Sequence, residues 1–394
     1  MLSLSGEQAY LIIAHFILFG LSAGVLHRHW HSPFLATLTC AFVFIGMLLS
    51  GLYVFSNYFT GHGIDESVIF HLFAGVDGIP AEIFYYIVVG VVLYLIFVLA
   101  VSLGVLRVLW SVSAKSFTVR AVVPLFCILL SFSVHPATSD IYWLFQPSFE
   151  KNLKSDIGSE EQPIGYVGGW SESFPQSESK PNIIYIYAES LERTFLNEKE
   201  FPGLTPNLND LKSKALDFTN IRQAYATGWT IAGMVASQCG APLITPVGIN
   251  RTDGLSGFLP GLTCLGDILK SQGYFLSYMG GADLSFANKG AFYEEHGFDE
   301  VVGRRRLSEL LDDESYVSQW GIYDDFLYEQ LLKKIRLLSR LDRPYALVAL
   351  TLDTHAPEGF PSKSCSKFRY QDGSNPMLNA VHCADHMVGA FIST

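Results

Sequence analysis

Residues 183–192 read IIYIYAESLE, and the reading of this stretch decides the fold of everything that follows it. An unbroken run of strand-forming apolar and aromatic residues ends at Ala188, and a carboxylate (Glu189) and a hydroxyl (Ser190) come directly after. A strand with one wet face alternates polar and apolar residues. A run without alternation is what a parallel strand covered on both faces requires. Glu189 is therefore expected at the tip of a core strand.

The sequence downstream keeps switching between strand and helix patterns. NIIYIYA, ALDFTNIRQAY, YFLSYMG and YALVALTLDTH read as strands. TPNLNDLKSK (205–214), TIAGMVASQ, CLGDILKSQG and YDDFLYEQLLKKIRLLSRL read as helices. Such alternation indicates an α/β domain with a mainly parallel sheet. Ligands of these sheets bind beyond the carboxyl ends of the strands. Glu189 follows one strand, and Asp353, Thr354 and His355 follow another, so neighbouring strands would bring a carboxylate and an imidazole into one crevice. Thr227, Gly228, Trp229 and Thr230 lie where a loop enters a helix. Backbone N–H groups and the positive end of the helix dipole favour an incoming phosphate there. The alternative for Thr227 or Thr230 is a plain helix cap.

The first third of the chain has a different solvent. Of the 394 residues, 49% are hydrophobic and only 16% charged, against roughly 25% charged in soluble domains. The apolar excess concentrates in four runs, at about 8–26, 34–56, 83–106 and 119–136, each near the roughly 20 residues a spanning helix needs. The last is the weakest, being short and containing Pro124. The first run has no basic leader and is followed by HRHWH, which argues against a cleaved signal peptide. The first connection carries Arg28, and the third carries Arg107, Lys115 and Arg120. The second has no Lys or Arg but holds Asp65, Glu66, Asp77 and Glu82. The positive-inside rule then places both the N-terminus and everything after about residue 138 outside. The second loop (GIDESVIFHLFAGV) reads equally as a surface-lying helix or an ordinary loop. The expected organisation is a four-span membrane domain over 1–140, a flexible linker over 141–180 rich in Ser, Glu, Gly and Pro, and an α/β domain from 181 to 394. The net charge of −11 argues against nucleic acid as a partner and against long-range attraction to anionic headgroups.

Cys40 and Cys127 fall in spans, where a thiol is a small apolar group. Cys239, Cys264, Cys365 and Cys383 fall outside, in an oxidising compartment if the orientation holds. Four cysteines allow three pairings. The local one, Cys239–Cys264 with Cys365–Cys383, is the simplest, each bridge contributing ~3 kcal/mol. No clustered Cys/His spacing points to zinc.

NIIYIYAESLERTF, FPGLTPNL, WTIAGMVASQCGAPL, CLGDILKSQGY, HGFD, WGIYDD and TLDTHAPEGF together resemble the membrane-bound phosphoglycerol transferases of osmoregulated periplasmic glucans. These enzymes group with lipoteichoic acid synthases in the sulfatase-like branch of the alkaline phosphatase superfamily. The resemblance runs from about Pro181 to the end, and the four-span part agrees with it. It implies transfer of sn-glycerol 1-phosphate from phosphatidylglycerol to a periplasmic glucan, outside the bacterial inner membrane, with release of diacylglycerol. It further implies Glu189 and Thr230 as ligands of a divalent metal, manganese first and zinc or magnesium as alternatives. Thr230 would be the nucleophile that carries a covalent glycerophosphoryl group. His355, Phe286 and Lys289 would hold the substrate. Beyond the lipid, the glucan and the bilayer, no protein partner is implied. Glu192 and Arg193 read as a solvated face, and Trp320, Gly321, Asp324 and Asp325 as a helix start.

The superfamily completes its metal site with an Asp-His pair after a later core strand, and the sequence reaches FIST before any such strand. Asp385-His386 is a poor substitute, because it lies in a helical pattern (HMVGAF) and not after a strand. The expectation is therefore a domain incomplete at its C-terminus, a partial product that is inactive as it stands. A sulfatase proper is disfavoured, since Cys239-Gly240-Ala241-Pro242 lacks the C/S-x-P-x-R setting. A phosphoethanolamine transferase of the same fold, or a non-catalytic membrane-anchored binding module, are the competing readings. A transporter is disfavoured by spans without charged residues.

Overall fold

The computed structural model describes residues 6–29, 33–60, 63–65, 67–68, 81–110, 122–144, 180–224, 227–243, 259, 261–356 and 358–394. Of the linker expected over 141–180, residues 141–144 end a helix and 145–179 lie outside the described residues, as do Lys115 and Arg120 and most of the second loop. The described residues up to Leu144 belong to one compact unit and those from Lys180 onward to another.

In the first unit, helices α1 (Gly6–His29), α2 (Pro33–Thr60) and α3 (Ala81–Trp110) are each long and apolar enough to cross a bilayer. The fourth expected span differs from its reading. Helix α4 (Val122–Val134) ends at His135, and α5 (Pro136–Leu144) continues at a bend of 70°. Pro124 is not the cause, because it sits in the first turn of α4, where a missing N–H costs nothing. Pro136 is. It pushes the preceding residue out of helical backbone, and His135 then uses its ring Nδ1 to accept the Ala137 N–H at 3.1 Å. Phe19, Val43, Met47, Val98 and Ile128 form the apolar centre of this unit. Buried within it, His15 Nδ1 donates to the Ser131 carbonyl (2.8 Å), and His135 Nε2 pairs with the Ser50 hydroxyl (2.8 Å).

The second unit is an α/β domain. Its elements are β1 (Ile183–Tyr187), α6 (Pro206–Lys212), α7 (Thr230–Cys239), α8 (Leu265–Ser271), β2 (Phe275–Gly280), α9 (Lys289–Glu295), β3 (Glu300–Val302), α10 (Arg304–Ser308), α11 (Asp324–Leu338), β4 (Tyr345–Leu350) and α12 (Pro376–Ile392). The sheet order is β1-β4-β2-β3, with every pairing parallel. Every residue of β4 is buried, because each face has its own cover. Leu347 and Ala349 pack with Leu327 and Leu331 of α11 and Met387 and Phe391 of α12. Val348 and Leu350 pack with Ile231, Met234 and Val235 of α7 and Phe292 and Tyr293 of α9. This two-sided burial accounts for the unalternated run of β4. β1, expected as a core strand, instead lies at the edge of the described sheet, with none of its residues fully buried and Ile184 44% exposed.

One expected strand is absent. ALDFTNIRQAY forms no strand among its described residues. Leu216, Phe218 and Ile221 are 90%, 68% and 77% exposed, so the alternation that suggested a strand meets no sheet to pack on. In the opposite sense, β3 and the full length of α12 went unread, β3 because three residues carry no period.

Candidate active site

β1 and β4 are neighbours, with Tyr187 level with Leu350, so the segments that follow them meet. The chain turns sharply at the tip of β1, where Ser190 adopts left-handed backbone (φ 51°), a conformation that costs a non-glycine residue about 1–2 kcal/mol. Two hydroxyls from the β4 exit hold the turn. Thr351 Oγ1 accepts the Glu189 N–H at 3.0 Å, and Thr354 Oγ1 donates to the Glu189 carbonyl. The carboxylate is then shared. Ser190 Oγ donates to Oε1 (3.0 Å) and Thr230 Oγ1 donates to Oε2 (3.0 Å).

Thr230 is the first residue of α7, and the N-cap position is Trp229 with no side-chain cap. The Thr227 hydroxyl donates instead to the Ala224 carbonyl at 2.6 Å. Neither threonine therefore caps the helix. The first intrahelical bond is Gly233 N–H to Trp229 O, so the N–H groups of Thr230, Ile231 and Ala232 precede the ladder, as in any helix start. Gln238 pins the helix from behind, donating to the hydroxyls of Tyr187 (3.1 Å) and Tyr293 (2.9 Å).

A second group lies on the loops after β2 and β4. Lys289 is buried (3% exposed). Its Nζ donates to the Phe286 carbonyl (2.7 Å) and sits 4.7 Å from the centre of the Phe286 ring. Burial pulls its ammonium down to about 8, against the opposing pull of the Glu189 and Asp283 charges. Ala287 and Asn288, just ahead of it, are both left-handed (φ 55° and 53°). Of five non-glycine residues with positive φ among the described residues, three thus adjoin candidate site residues, a clustering expected where backbone strain serves a site. His355 Nδ1 donates to the Ala356 carbonyl (2.7 Å), which leaves Nε2 with a lone pair. Its ring stacks on Trp320 with centroids 3.9 Å apart, and Trp320 also meets Phe286 at 5.9 Å.

Trp320 joins Phe286 to His355, a role its sequence context did not disclose, since WGIYDD reads as the approach to a helix. Its loop is tightly specified. Ser318 Oγ accepts from Trp320 N–H and Gly321 N–H (3.2 Å each), and Ile322 N–H donates to the Gly281 carbonyl (3.1 Å). Gly321 has φ 151°, and a Cβ there would stand 2.1 Å from the Gly281 carbonyl oxygen.

Asp324 is also more than a helix start, and it is paired with Asp353 at the exit of β4. Both are almost wholly buried. Asp324 accepts the N–H groups of Leu352 (2.7 Å) and Asp353 (2.9 Å). Asp353 accepts those of Asp324 (3.1 Å) and Ser362 (3.0 Å), with the Ser362 hydroxyl as a further donor. Burial raises both carboxyl groups, Asp324 to about 7. Every oxygen faces a donor of the protein, so the pair ties the β4 exit to α11. Arg193 forms a two-pronged pair with Asp217 (2.6 and 2.8 Å).

Glu189 Oε2 and Thr230 Oγ1 are hard oxygen donors, the kind that suits a divalent ion, and they already converge. Among the described residues no third His, Cys, Asp or Glu groups with them; the cluster of ligand type is Cys239, Cys264 and His296. The sulfurs of that cluster are bonded to each other, since the structure pairs Cys239 with Cys264 and Cys365 with Cys383. Asp385 is fully buried and spans to the start of α6, accepting from Asn207 N–H (3.0 Å), Asn207 Nδ2 (2.8 Å) and Leu208 N–H (2.8 Å). His386 stacks on Phe368.

Comparison with known proteins gives these residues a context. A family model described as Sulfatase matches residues 181–394, and one described as Phosphoglycerol transferase I, N-terminal domain, matches 8–155. Phosphoglycerol transferase I of Escherichia coli (strain 55989 / EAEC) is 35% identical over 389 residues, 97% of this chain and 48% of that protein. The protein of that name from Salmonella typhimurium (strain LT2) is 36% identical over the same shares. The chain spans about half the length of the curated relatives it matches. Among solved structures, a protein in the alkaline phosphatase superfamily from Vibrio parahaemolyticus is similar at 27% identity and TM-score 0.45, over 54% of this chain and 50% of that one.

Proposed function

The chain belongs to the sulfatase family, and from that premise we propose that it is a membrane-anchored phosphotransferase moving sn-glycerol 1-phosphate from phosphatidylglycerol to a glucan. The observation that carries the reading is the Thr230 hydroxyl set on the Glu189 carboxylate, at a helix N-terminus and at the carboxyl edge of the sheet. Relatives named phosphoglycerol transferase I support phosphoglycerol as the transferred group; the lipid donor and the glucan acceptor rest on the resemblance of the motifs.

In this reading Thr230 Oγ attacks the phosphorus of the lipid headgroup. The bond from phosphorus to the diacylglycerol oxygen breaks, and that oxygen leaves with a proton as the lipid alcohol. A glycerophosphoryl-threonine remains. A glucan hydroxyl then attacks the same phosphorus, and Thr230 leaves as the alcohol. The leading N–H groups of α7 and the Lys289 ammonium would offset the negative charge on the non-bridging oxygens of the phosphoryl group. His355, held by Trp320 and Ala356, offers Nε2 as an acceptor for a glycerol hydroxyl, and the Phe286 ring walls the headgroup. Glu189 and Thr230 would hold a divalent ion, manganese first and zinc or magnesium as alternatives, which lowers the pKa of the threonine hydroxyl. A hard divalent cation takes about six oxygen ligands and this pair offers two.

The spans over 1–140 and the linker over 141–180 would hold the 181–394 domain near its lipid donor, raising effective concentration without new contacts. Placement in the inner membrane with that domain in the periplasm belongs to the same proposal.

The test presents the full chain with headgroup-labelled phosphatidylglycerol, glucan and manganese. Release of diacylglycerol with label on Thr230 supports the reading. Label taken from phosphatidylethanolamine instead would assign the other transferase class, and lipid binding that ignores Thr230→Ala would make the domain a binding module.

A further inference from the structure

Cys239–Cys264 is more than a crosslink between α7 and α8. His296, 3% exposed, brings Nε2 to 3.7 Å from Cys264 Sγ, while its Nδ1 lies 2.8 Å from Asp267 Oδ2. Facing a carboxylate, Nδ1 carries the proton, and Nε2 presents its lone pair to the sulfur. The same Asp267 oxygen accepts the Cys264 N–H at 2.9 Å, which fixes the carboxylate against the bridge. Carboxylate, imidazole and sulfur are thus aligned in series. The ligand atoms of Cys239, Cys264 and His296 all lie within 4.8 Å of one another, and among the described residues no such grouping surrounds Cys365–Cys383.

We propose that Cys239–Cys264 is a thiol–disulfide exchange site whose partner is a dithiol, either a small molecule or a dithiol oxidoreductase. A thiolate of the dithiol attacks Cys239 Sγ, because Cys239 is the partly exposed residue of the pair, whereas Cys264 is fully buried. A mixed disulfide forms, the Cys239–Cys264 bond breaks, and its electron pair goes to Cys264 Sγ. The proton given up by the attacking thiol ends on His296 Nε2, so the new thiolate faces an imidazolium backed by the Asp267 carboxylate. The second thiol of the partner then attacks the mixed disulfide and leaves as the oxidised partner, while Cys239 takes its proton. The dithiol is oxidised by two electrons and the bridge is reduced by two. A leaving thiolate with its own counter-charge leaves faster, and stabilising the reduced form makes a bridge easier to reduce. Cys239 is the last residue of α7 and Thr230 the first, so exchange here acts on the helix that carries the candidate nucleophile.

The experiment equilibrates the full chain, in detergent, with glutathione buffers of graded poise, and quantifies each bridge by alkylation and mass spectrometry. Cys239–Cys264 is expected to open at a poise at least tenfold less reducing than Cys365–Cys383 requires. His296→Ala and Asp267→Asn are each expected to shift the first midpoint tenfold or more towards harder reduction and to leave the second in place. In Cys264→Ser, glutathione is expected to accumulate on Cys239. The wild-type comparison needs no variant to fold. Bridges that open together, or a first bridge that opens only when denaturant is added, would overturn the proposal, as would a midpoint indifferent to both His296 and Asp267.

Discussion

The Thr230 hydroxyl donates to Glu189 Oε2 across 3.0 Å, joining the first residue of a helix to the tip of a strand 41 positions earlier. In Thr230→Ala that hydrogen bond is lost, and with it the proposed nucleophile. Turnover is expected to fall by at least roughly a thousandfold, with no label retained on the protein after phosphatidylglycerol treatment. Glu189→Gln keeps the shape and removes the charge. Calorimetric titration should show manganese affinity at least about tenfold weaker.

Burial pulls the Lys289 ammonium down to about 8, and a neutral amine carries no charge to pair with a phosphate. In initial-rate measurements across pH, kcat/KM is expected to decline above about 8. Lys289→Arg, always charged, should carry the plateau to higher pH. Stability moves oppositely. Between about 8 and 10.5 the unfolded chain binds the proton that the folded chain has released at Lys289. This group's contribution to the thermal midpoint, read as the difference from Lys289→Arg, should therefore rise with pH through that window.

Gly321→Ala forces a side chain into left-handed backbone and against the Gly281 carbonyl. The expected cost is ~2 kcal/mol or more, read as a lower denaturation midpoint. Trp320→Ala should raise KM for lipid more than it lowers kcat, since it frees the His355 ring. Trp320→Phe, which keeps a stacking face, should recover most of the loss.

Asp385→Ala leaves three donors at the start of α6 without their acceptor. A loss of ~3 kcal/mol is expected, visible in calorimetry. Below the melting transition, manganese affinity and turnover should match the parent chain. A specific loss of metal binding would instead make Asp385 a ligand.

Strand and helix types were legible wherever burial imposes a pattern. IIYIYA and YALVAL read as strands and are strands, though only YALVAL is covered on both faces, and the α11 stretch carries the period of a helix with one buried face. The expectation failed where pattern and environment part. ALDFTNIRQAY alternates like a strand, yet its described apolar residues stand in solvent. The fourth run, the weakest as read, is a pair of helices bent by 70° before Pro136, where a proline's missing N–H lies beyond the first turn of the ladder.

The sequence by itself determined that Glu189 and His355 would follow strands and that Thr230 would open a helix, because each position is set by local period and by the turn beside it. That β1 lies at the edge of the described sheet and not in its core was decided by the tertiary structure. Only the tertiary structure decided which of these residues meet. Pairing of β1 with β4, the hold of Thr351 and Thr354 on Glu189, and the stacking of Trp320 on His355 join segments up to 165 residues apart. Nothing local encodes such contacts. They exist because burying both faces of the sheet leaves few ways to arrange its loops, and the hydrogen bonds of buried polar groups select among those.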